Sequence, residues 1–490
     1  MKRFLISFFL CAVNICVYGQ IYINNRYNFG FQDLGVDVCK VSSGFVLVSA
    51  ESEIGGLQWN LRFITLNNNA NIISNHSYGS TANYYVYQGS LVQIDSTSYA
   101  IGGGKLDNGG LKGYLMKLNS NGDSIWTKTF SGIADKQFFD CKKSSDGGFI
   151  LAGITYEFDP NGDALLLKTD SLGDFQWENH YGGNLYDDAK SVIQTTDGGY
   201  LFVGKKRTPS FWSEGFIVKT DNNGSWQWNR EYGGPFEDAF ESCIQSTLDS
   251  FIYVTGNYCS NSFNPPFGNN FNKPYVVKID LFGDTVWTKV YGDSLYSLSI
   301  TSVSESIIQN AIILAGNSPD IITGRQSGLI MNIDTSGNAQ WSKQFRNIYG
   351  LNSANILREL FILSTGNILA IGNVYPNVPD TGNVDTWLLA VDSLGCLLPN
   401  CTSSINEIAL EDILNIYPNP SIKEVTIKFD SIFKNGIIKI FDYRGILISS
   451  NKISSNNEPI TKSFDKPGIY TAVVESGKKI IIQKFVIIPM

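Results

Sequence analysis

The 490-residue chain contains only 2 His and 4 Met, and charged residues make up 17% of it. So few histidines exclude a histidine-rich metal site. The low charge excludes a disordered tail protein, which would be rich in charge and poor in aromatics. Aromatics instead reach 13%, and Gly numbers 47. This composition favours β-strands joined by tight turns over helices.

Charge is unevenly spread along the chain, whose net charge is −8. Residues 20–412 carry 24 Lys+Arg against 39 Asp+Glu, whereas residues 413–490 carry 11 against 6. The acidic body disfavours nucleic acid or anionic lipid as a partner, because both bind basic surfaces. The change of sign near residue 412 predicts a domain boundary.

The first 19 residues have the pattern of a secretory signal peptide. Lys2 and Arg3 precede an apolar run from Phe4 to Val17, and cleavage is predicted after Gly19. The alternative is a membrane anchor, but the run is shorter than the ~20 residues that a span needs. No transmembrane segment is predicted in the mature chain.

Six cysteines follow the predicted cleavage site, and export would permit disulfides. Cys396 and Cys401 are close in sequence with Pro399 between them, so they are predicted to pair. Cys39, Cys141 and Cys243 fall on strand-like runs of different repeat units and are predicted to be buried free thiols. Cys259 has no assignment.

An internal repeat decides the predicted fold. Its marker, Asp-x-x-Gly-x-x-x-Trp, occurs at Asp170, Asp221, Asp280 and Asp334, with Asn in the first place at Asn119. Weaker copies begin at Asn67 and Asp392. Together they define seven units, beginning near residues 30, 79, 131, 182, 233, 292 and 347.

Each unit contains four short strand-like runs. In the fourth unit these are Ala189–Thr195, Tyr200–Lys205, Gly215–Thr220 and Trp226–Glu231. Seven four-stranded units predict a seven-bladed β-propeller, with an open β-solenoid or separate sandwiches as alternatives.

The two ends of the repeat predict how the ring closes. The seventh unit stops after its third strand, Trp387–Asp392, and residues 20–29 match the fourth-strand position that precedes each unit. The N-terminal strand is therefore expected to complete blade seven, which would bury both open edges. The Asp and Gly of the marker are predicted to form a turn, and its Trp to pack between blades.

Aromatic and amide side chains on one face of the predicted ring are candidates for ligand binding. They lie in loops between second and third strands, the same face as the loops between blades; the alternative is that they fold onto the blades. The candidates are Trp59, Phe211, Trp212, Phe263, Phe267 and Phe271.

Two aspartates, Asp188 and Asp238, are predicted at matched junctions between units. They either cap turns or bind a cation or sugar. The two histidines, His76 and His180, lie in different units with no nucleophile in a recognisable arrangement. No catalytic residue, metal or cofactor is predicted.

The last 78 residues, 413–490, predict a small β-sandwich. They contain the YPNP sequence, an IKIFDYRGILI segment, PGIYTAVV and a terminal KKIIIQKFVIIP run. These elements resemble the C-terminal sorting domain of type IX secretion cargo. The motif residues are Tyr417, Pro418, Asn419, Pro420, Gly445, Gly468 and Tyr470. The resemblance implies Sec export, passage through the outer membrane by the type IX machinery, and release or attachment at the cell surface.

The predicted organisation is a signal peptide at 1–19, an all-β propeller at 20–399, a linker at 400–412 and the sorting domain at 413–490. The predicted function is a secreted or cell-surface, non-enzymatic propeller that binds glycan or protein. Two alternatives stay open: a propeller enzyme that acts on carbohydrate through paired carboxylates, and a structural envelope or adhesion scaffold.

Overall fold

A computed structural model describes the chain in two compact units, Met1–Ser403 and Ser404–Met490. The first unit is described over residues 22–397, except 31, 53–57, 80–81, 211, 235, 260–271, 293–297, 320–325, 349–352 and 377–382. The second is described over residues 414–487, except 418–420, 430–435, 443–445, 454–457 and 477–478. The predicted signal peptide and linker lie outside these residues. The described part of the chain forms no helix that could span a membrane.

Twenty-eight strands of the first unit form seven antiparallel blades. Blade 1 is β2 (Gln32–Val41), β3 (Gly44–Ser52), β4 (Trp59–Asn67) and β5 (Ile72–Tyr78); blade 2 is β6 (Asn83–Gln93), β7 (Ser98–Asp107), β8 (Gly110–Asn119) and β9 (Ser124–Phe130). Blade 3 is β10 (Lys136–Lys143), β11 (Phe149–Thr155), β12 (Asp163–Thr169) and β13 (Phe175–Tyr181); blade 4 is β14 (Asp187–Gln194), β15 (Tyr200–Arg207), β16 (Ser213–Thr220) and β17 (Trp226–Tyr232). Blade 5 is β18 (Ala239–Gln245), β19 (Ile252–Cys259), β20 (Asn272–Ile279) and β21 (Thr285–Val290); blade 6 is β22 (Ser299–Ser306), β23 (Ala311–Pro319), β24 (Gln326–Ile333) and β25 (Ala339–Phe345). Blade 7 is β26 (Ala354–Ile362), β27 (Ile368–Tyr375), β28 (Asp385–Val391) and the N-terminal strand β1 (Ile23–Tyr27).

The N-terminal strand closes the ring as the sequence predicts. Strand β1 runs antiparallel to β28, from the pair Ile23 and Ala390 to the pair Tyr27 and Thr386. The Tyr27 hydroxyl then donates a 2.7 Å hydrogen bond to the Ala70 carbonyl of blade 1. Strand β1 thus completes the sheet of blade 7 and covers the edge of β28 that would otherwise be free. The Tyr27 bond then joins this sheet to blade 1.

In blades 1 to 6 the repeated marker forms the turn between the third and fourth strands, and in blade 7 it follows the third strand, β28. In blade 4 the Asp221 carboxylate accepts hydrogen bonds from the amides of Asn223 and Ser225, at 2.9 and 2.8 Å. Gly224 adopts φ +78°, and a Cβ there would lie 2.6 Å from the ring of Trp177 in blade 3. The same contact joins Gly283 to Trp228. The prediction that these tryptophans pack between blades is confirmed.

Apolar side chains of second and third strands fill the spaces between neighbouring blades. Strands β11 and β12 are buried along their whole length, whereas β13 at the outer edge is largely exposed. Between blades 3 and 4, for example, Ile150 and Leu166 pack with Val192 and Phe202. Each blade has two buried faces, so these strands are continuously apolar rather than alternating.

The second unit contains two small antiparallel sheets. One consists of β29 (Leu414–Tyr417), β30 (Glu424–Phe429) and β33 (Ile460–Ser463). The other consists of β31 (Ile437–Asp442), β32 (Leu447–Lys452), β34 (Gly468–Ser476) and β35 (Lys479–Ile487). Side chains from both sheets share one core, which includes Val425, Ile440 and Val474. This is the small sandwich that the strand spacing predicts.

Candidate functional site

The first strand of every blade carries a β-bulge at the same register point. In six blades the bulge inserts one residue, and these residues are Val36, Phe139, Lys190, Glu241, Thr301 and Arg358. In blade 2 it inserts the four residues 87–90 between Val86 and Leu91. Bulges redirect side chains out of the regular sheet pattern. Here they lie on the innermost strands, next to the ring axis.

An axial cavity of about 580 Å³ lies inside the ring. Of the bulge residues, Val36, Tyr87, Phe139, Lys190, Glu241 and Arg358 line it. Trp59 and Tyr85 add aromatic surface, and Gln88 and Asn373 add amides. Most of the lining comes from the inner strands, at and beside their bulges. Its size and mixed aromatic and polar lining are typical of small-ligand sites.

The four-residue bulge crosses the ring. The Gln88 side-chain amide donates a hydrogen bond to the Thr301 carbonyl of blade 6. Gly89 takes φ +78°, and a Cβ there would lie 2.7 Å from a carboxylate oxygen of Asp140. Glycine is therefore required for the segment to pass so close to blade 3. The bridge ties opposite sides of the cavity to each other.

Two of the cavity's lysines are already paired. The Lys142 ammonium lies 2.7 Å from Asp140 and donates to the Gly89 carbonyl at 3.2 Å. The Lys190 ammonium lies 3.3 Å from Asp188 and 3.9 Å from the centroid of the Phe139 ring. An ammonium over an aromatic face is attracted by the ring quadrupole. The ammonium groups of both lysines therefore already have partners within the protein.

Carboxylates next to the bulges hold the inner strands together. Asp37 accepts a 2.9 Å bond from the Leu91 amide of blade 2, and Asp140 a 2.8 Å bond from the Val192 amide of blade 4. Glu359 accepts a 3.0 Å bond from the Leu360 amide. Burial, together with the neighbouring Glu359, raises the pKa of Asp37 to about 8.

Glu241 and Arg358 differ from these groups. Both are half-buried bulge residues that line the cavity. Among the residues that the structure describes, neither side chain makes a hydrogen bond or an ion pair within 4.0 Å. Burial raises the pKa of Glu241, and the nearby Lys190, Lys205 and Arg358 oppose that rise. The cavity therefore presents one carboxylate and one guanidinium that are available to a ligand.

The aromatic residues predicted to bind ligand do not all lie at the cavity. Trp59 begins β4 and lines the cavity. Trp212 is 39% exposed and packs edge-to-face on Phe236, with ring centroids 6.0 Å apart. The other four, Phe211, Phe263, Phe267 and Phe271, lie outside the described residues. The structure therefore brings one predicted aromatic, Trp59, to the axial cavity.

The matching of Asp188 with Asp238 is wrong by one residue. Asp238 accepts a 2.6 Å bond from the Gly234 amide, and in blade 4 Asp187 does the same with the Gly183 amide at 2.7 Å. Asp188 instead is fully buried and accepts bonds from the Tyr186 hydroxyl and the Lys205 amide. Burial raises the pKa of both Asp187 and Asp238 to about 6.

Cys39, Cys141 and Cys243 are buried free thiols, which confirms that prediction. Cys259 is buried at the end of β19, and its amide donates to Asp238. Cys396 is disulfide-bonded, but Cys401 lies outside the described residues, so their pairing stays a prediction. The described residues contain no cluster of three or more His, Cys, Asp and Glu that could hold a metal.

In the C-terminal unit, Tyr470 is buried against Phe464 and its hydroxyl donates to the Lys466 carbonyl at 2.8 Å. Gly468 begins β34, and Tyr417 ends β29. Pro418, Asn419, Pro420 and Gly445 lie outside the described residues. Residues 415–488 match the family described as the secretion system C-terminal sorting domain.

The C-terminal unit is a type IX sorting domain. Its presence marks the chain for secretion or export to the outer membrane and cell surface, and implies handling by the type IX machinery. No curated protein matches the chain.

Solved β-propellers resemble the first unit. The β-propeller domain of the Trilobed protease from Pyrococcus furiosus is 9% identical, and the match covers 74% of this chain and 94% of that one, with a TM-score of 0.42. The Neurospora crassa Pan2 WD40 domain is 10% identical, with coverage of 73% and 89% and a TM-score of 0.43. At these identities the likeness is one of fold alone.

Proposed function

We propose that this protein is a secreted or cell-surface propeller that binds a glycan or protein ligand in its axial cavity and does not transform it. Residues 1–19 act as the Sec signal peptide, residues 20–399 form the binding domain, residues 400–412 form a linker, and residues 413–490 serve as the export address. The sorting domain supports the location, and the cavity supports the binding role.

The observation that carries the proposal is the unpaired state of Glu241 and Arg358 in the cavity wall. Both residues are half-buried, and each could form a charge-assisted hydrogen bond with a ligand, which is the strong class of hydrogen bond. Trp59, Tyr85 and Tyr87 supply flat apolar surface beside these charges. Such surface suits the faces of sugars and the side chains of peptides.

The roles of the other acidic groups support the non-enzymatic part of the proposal. Asp37 and Asp140 accept bonds from backbone amides of neighbouring blades, and Glu359 accepts one from the adjacent amide. These contacts stabilise the bulges, which is a structural role.

Binding is tested with the full chain lacking residues 1–19, screened on glycan and peptide arrays and measured by calorimetry. We expect a saturable ligand whose binding is abolished by Glu241→Trp, because the indole fills the cavity. The matched control is Glu231→Trp on the exposed outer strand β17, which should bind normally. Thermal unfolding of both variants verifies that they fold. Equal binding by both variants would show that the ligand binds outside the axial cavity.

A further inference from the structure

The charges of the cavity wall are balanced, although the propeller as a whole is strongly acidic. Asp140, Glu241 and Glu359 face Lys142, Lys190 and Arg358 in the lining, whereas residues 20–412 carry 39 acidic and 24 basic groups. A ligand with a large net negative charge would be repelled by the body of the protein. A purely cationic ligand would meet Arg358. The balance favours a ligand that carries both signs.

The position of the two unpaired charges sharpens this argument. Glu241 lies on the bulge of blade 5 and Arg358 on the bulge of blade 7, with blade 6 between them. They do not form an ion pair with each other. A single ligand could therefore place an ammonium against Glu241 and a carboxylate against Arg358. Both contacts would be charge-assisted hydrogen bonds, which are the strong class.

The bulges of blades 1 to 3 bring apolar side chains to the cavity. They contribute Val36, Tyr87 and Phe139, and the Tyr87 and Phe139 rings meet edge-to-face at 4.9 Å. The charged pair Asp140 and Lys142 lies on the same side of the ring, but its two groups neutralise each other. The bulges of blades 4, 5 and 7 contribute Lys190, Glu241 and Arg358 to the lining. A ligand that matches this lining offers an apolar group on one side and two opposite charges on the other.

We propose that the axial cavity binds a small zwitterion with an apolar side chain, namely an amino acid or short peptide with free amino and carboxyl ends. Glu241 receives the ammonium, Arg358 receives the carboxylate, and the Tyr87–Phe139 wall receives the side chain. This inference rests on the proposed binding function and goes beyond it by naming the ligand class. The volume of about 580 Å³ is sufficient for a peptide of this size.

The test uses the tripeptide Ala-Phe-Ala in four forms: free, N-acetylated, C-amidated and doubly capped. Calorimetry with the full chain lacking residues 1–19 should show at least about tenfold weaker binding for each single cap, since each removes one charge-assisted contact. Free phenylalanine is measured in parallel and distinguishes an amino-acid site from a peptide site.

Two variants test which side chain contacts each end of the peptide. In Glu241→Gln, acetylation should no longer weaken binding, while amidation still does. In Arg358→Gln, amidation should no longer weaken binding, while acetylation still does. Glu231→Gln on β17 and the exposed Arg207→Gln at the end of β15 are matched controls that should respond like the unmodified protein. Thermal unfolding of every variant excludes misfolding as the cause.

The outcomes separate the two proposals. Equal affinity for all four forms of the tripeptide would overturn the zwitterion inference and leave the binding function intact. The same holds if only a neutral glycan binds and Glu241→Trp abolishes that binding. If no amino acid, peptide or glycan binds the folded chain, both proposals fail.

Discussion

Two positions of the repeated blade differ in how much their residue varies among the seven copies. The turn after the third strand has Asp or Asn first in all seven copies, and Gly fourth in six of them, with Ala70 as the exception. The bulge on the innermost strand has a different residue in every copy, from Val36 to Arg358. The bulge lies at the same register point in every blade and is a single residue in six of them, yet only the turn keeps its side chains.

The difference follows from what each position contacts. The turn residue is fixed by its own backbone, since the carboxylate or amide must accept two amide hydrogens and the Gly must adopt positive φ beside a neighbouring ring. In five of the six single-residue bulges the bulge residue lines the cavity, Thr301 being the exception, and these five side chains range from apolar to charged. Sequence variation among copies therefore marks the surface that can specify a ligand, and the following predictions test this distinction.

The largest effect is expected at the turn glycine. Gly224→Ala would place a Cβ 2.4 Å from the Asn179 side chain and 2.6 Å from Trp177, at φ +78°. We expect a loss of about 3 kcal/mol in the free energy of unfolding, from strain and overpacking together. Gly198→Ala is the control, because Gly198 has φ +86° but a Cβ added there would meet no atom within 4 Å; it should lose only about 1 kcal/mol. Equal losses in denaturant unfolding would show that blade packing does not fix this position.

A smaller effect is expected at the first residue of the turn. Asp221→Ala removes two hydrogen bonds from backbone amides, at 2.9 and 2.8 Å. It should cost about 1–2 kcal/mol by chemical denaturation. Asp221→Asn should be nearly neutral, because Asn119 accepts the same pair of bonds in blade 2. A large loss in the Asn variant would mean that the charge, rather than the acceptor, is needed.

The free energy of unfolding is expected to depend on pH through Asp37, which directly follows the bulge residue Val36. Its pKa of about 8 in the folded protein lies above the ordinary 3.8, so the folded state holds a proton that the unfolded state has released. This contribution to stability is present at low pH and is lost as pH rises toward 8. The facing charges are Glu359, which raises the pKa, and Lys142, which lowers it.

The measurement is the free energy of unfolding between pH 6.5 and 8, above the pKa of about 6 of Asp187 and Asp238. The unmodified chain should lose about 1 kcal/mol per pH unit more than Asp37→Asn. The variant keeps one acceptor for the backbone amides but no longer titrates. Parallel profiles for the two proteins would contradict the raised pKa of Asp37.

The smallest effect on stability is expected at the bulge itself. Glu241→Gln and Arg358→Gln should each change the free energy of unfolding by less than about 0.5 kcal/mol, because neither side chain makes a hydrogen bond or ion pair with the residues that the structure describes. Their effect should appear only in ligand binding. A loss above about 2 kcal/mol in either variant would give the residue a structural role and remove the contrast between turn and bulge.

Sequence reasoning predicted the ring because the turn marker repeats with its strands. Apart from Trp59, it missed the cavity residues, although Phe139, Lys190 and Glu241 stand 51 residues apart in the aligned units. The signal was present as one variable position inside a regular repeat, but nothing in a linear pattern says that a bulge turns that residue toward the axis. The one-residue error at Asp188 has the same origin, since neighbouring aspartates are distinguished only by which backbone amide each one reaches.

The sequence by itself determined the number of blades, the closing strand, the turn chemistry and the C-terminal address, because these depend on local periodicity and on motifs that each segment carries within itself. Only the tertiary structure decided which charges are paired. Lys142 and Lys190 are neutralised by Asp140 and Asp188, whereas Glu241 and Arg358 have no such partner in the described part of the chain. That distinction arises from distances between side chains on strands that bulge toward a common axis, and such distances exist only after the ring has closed.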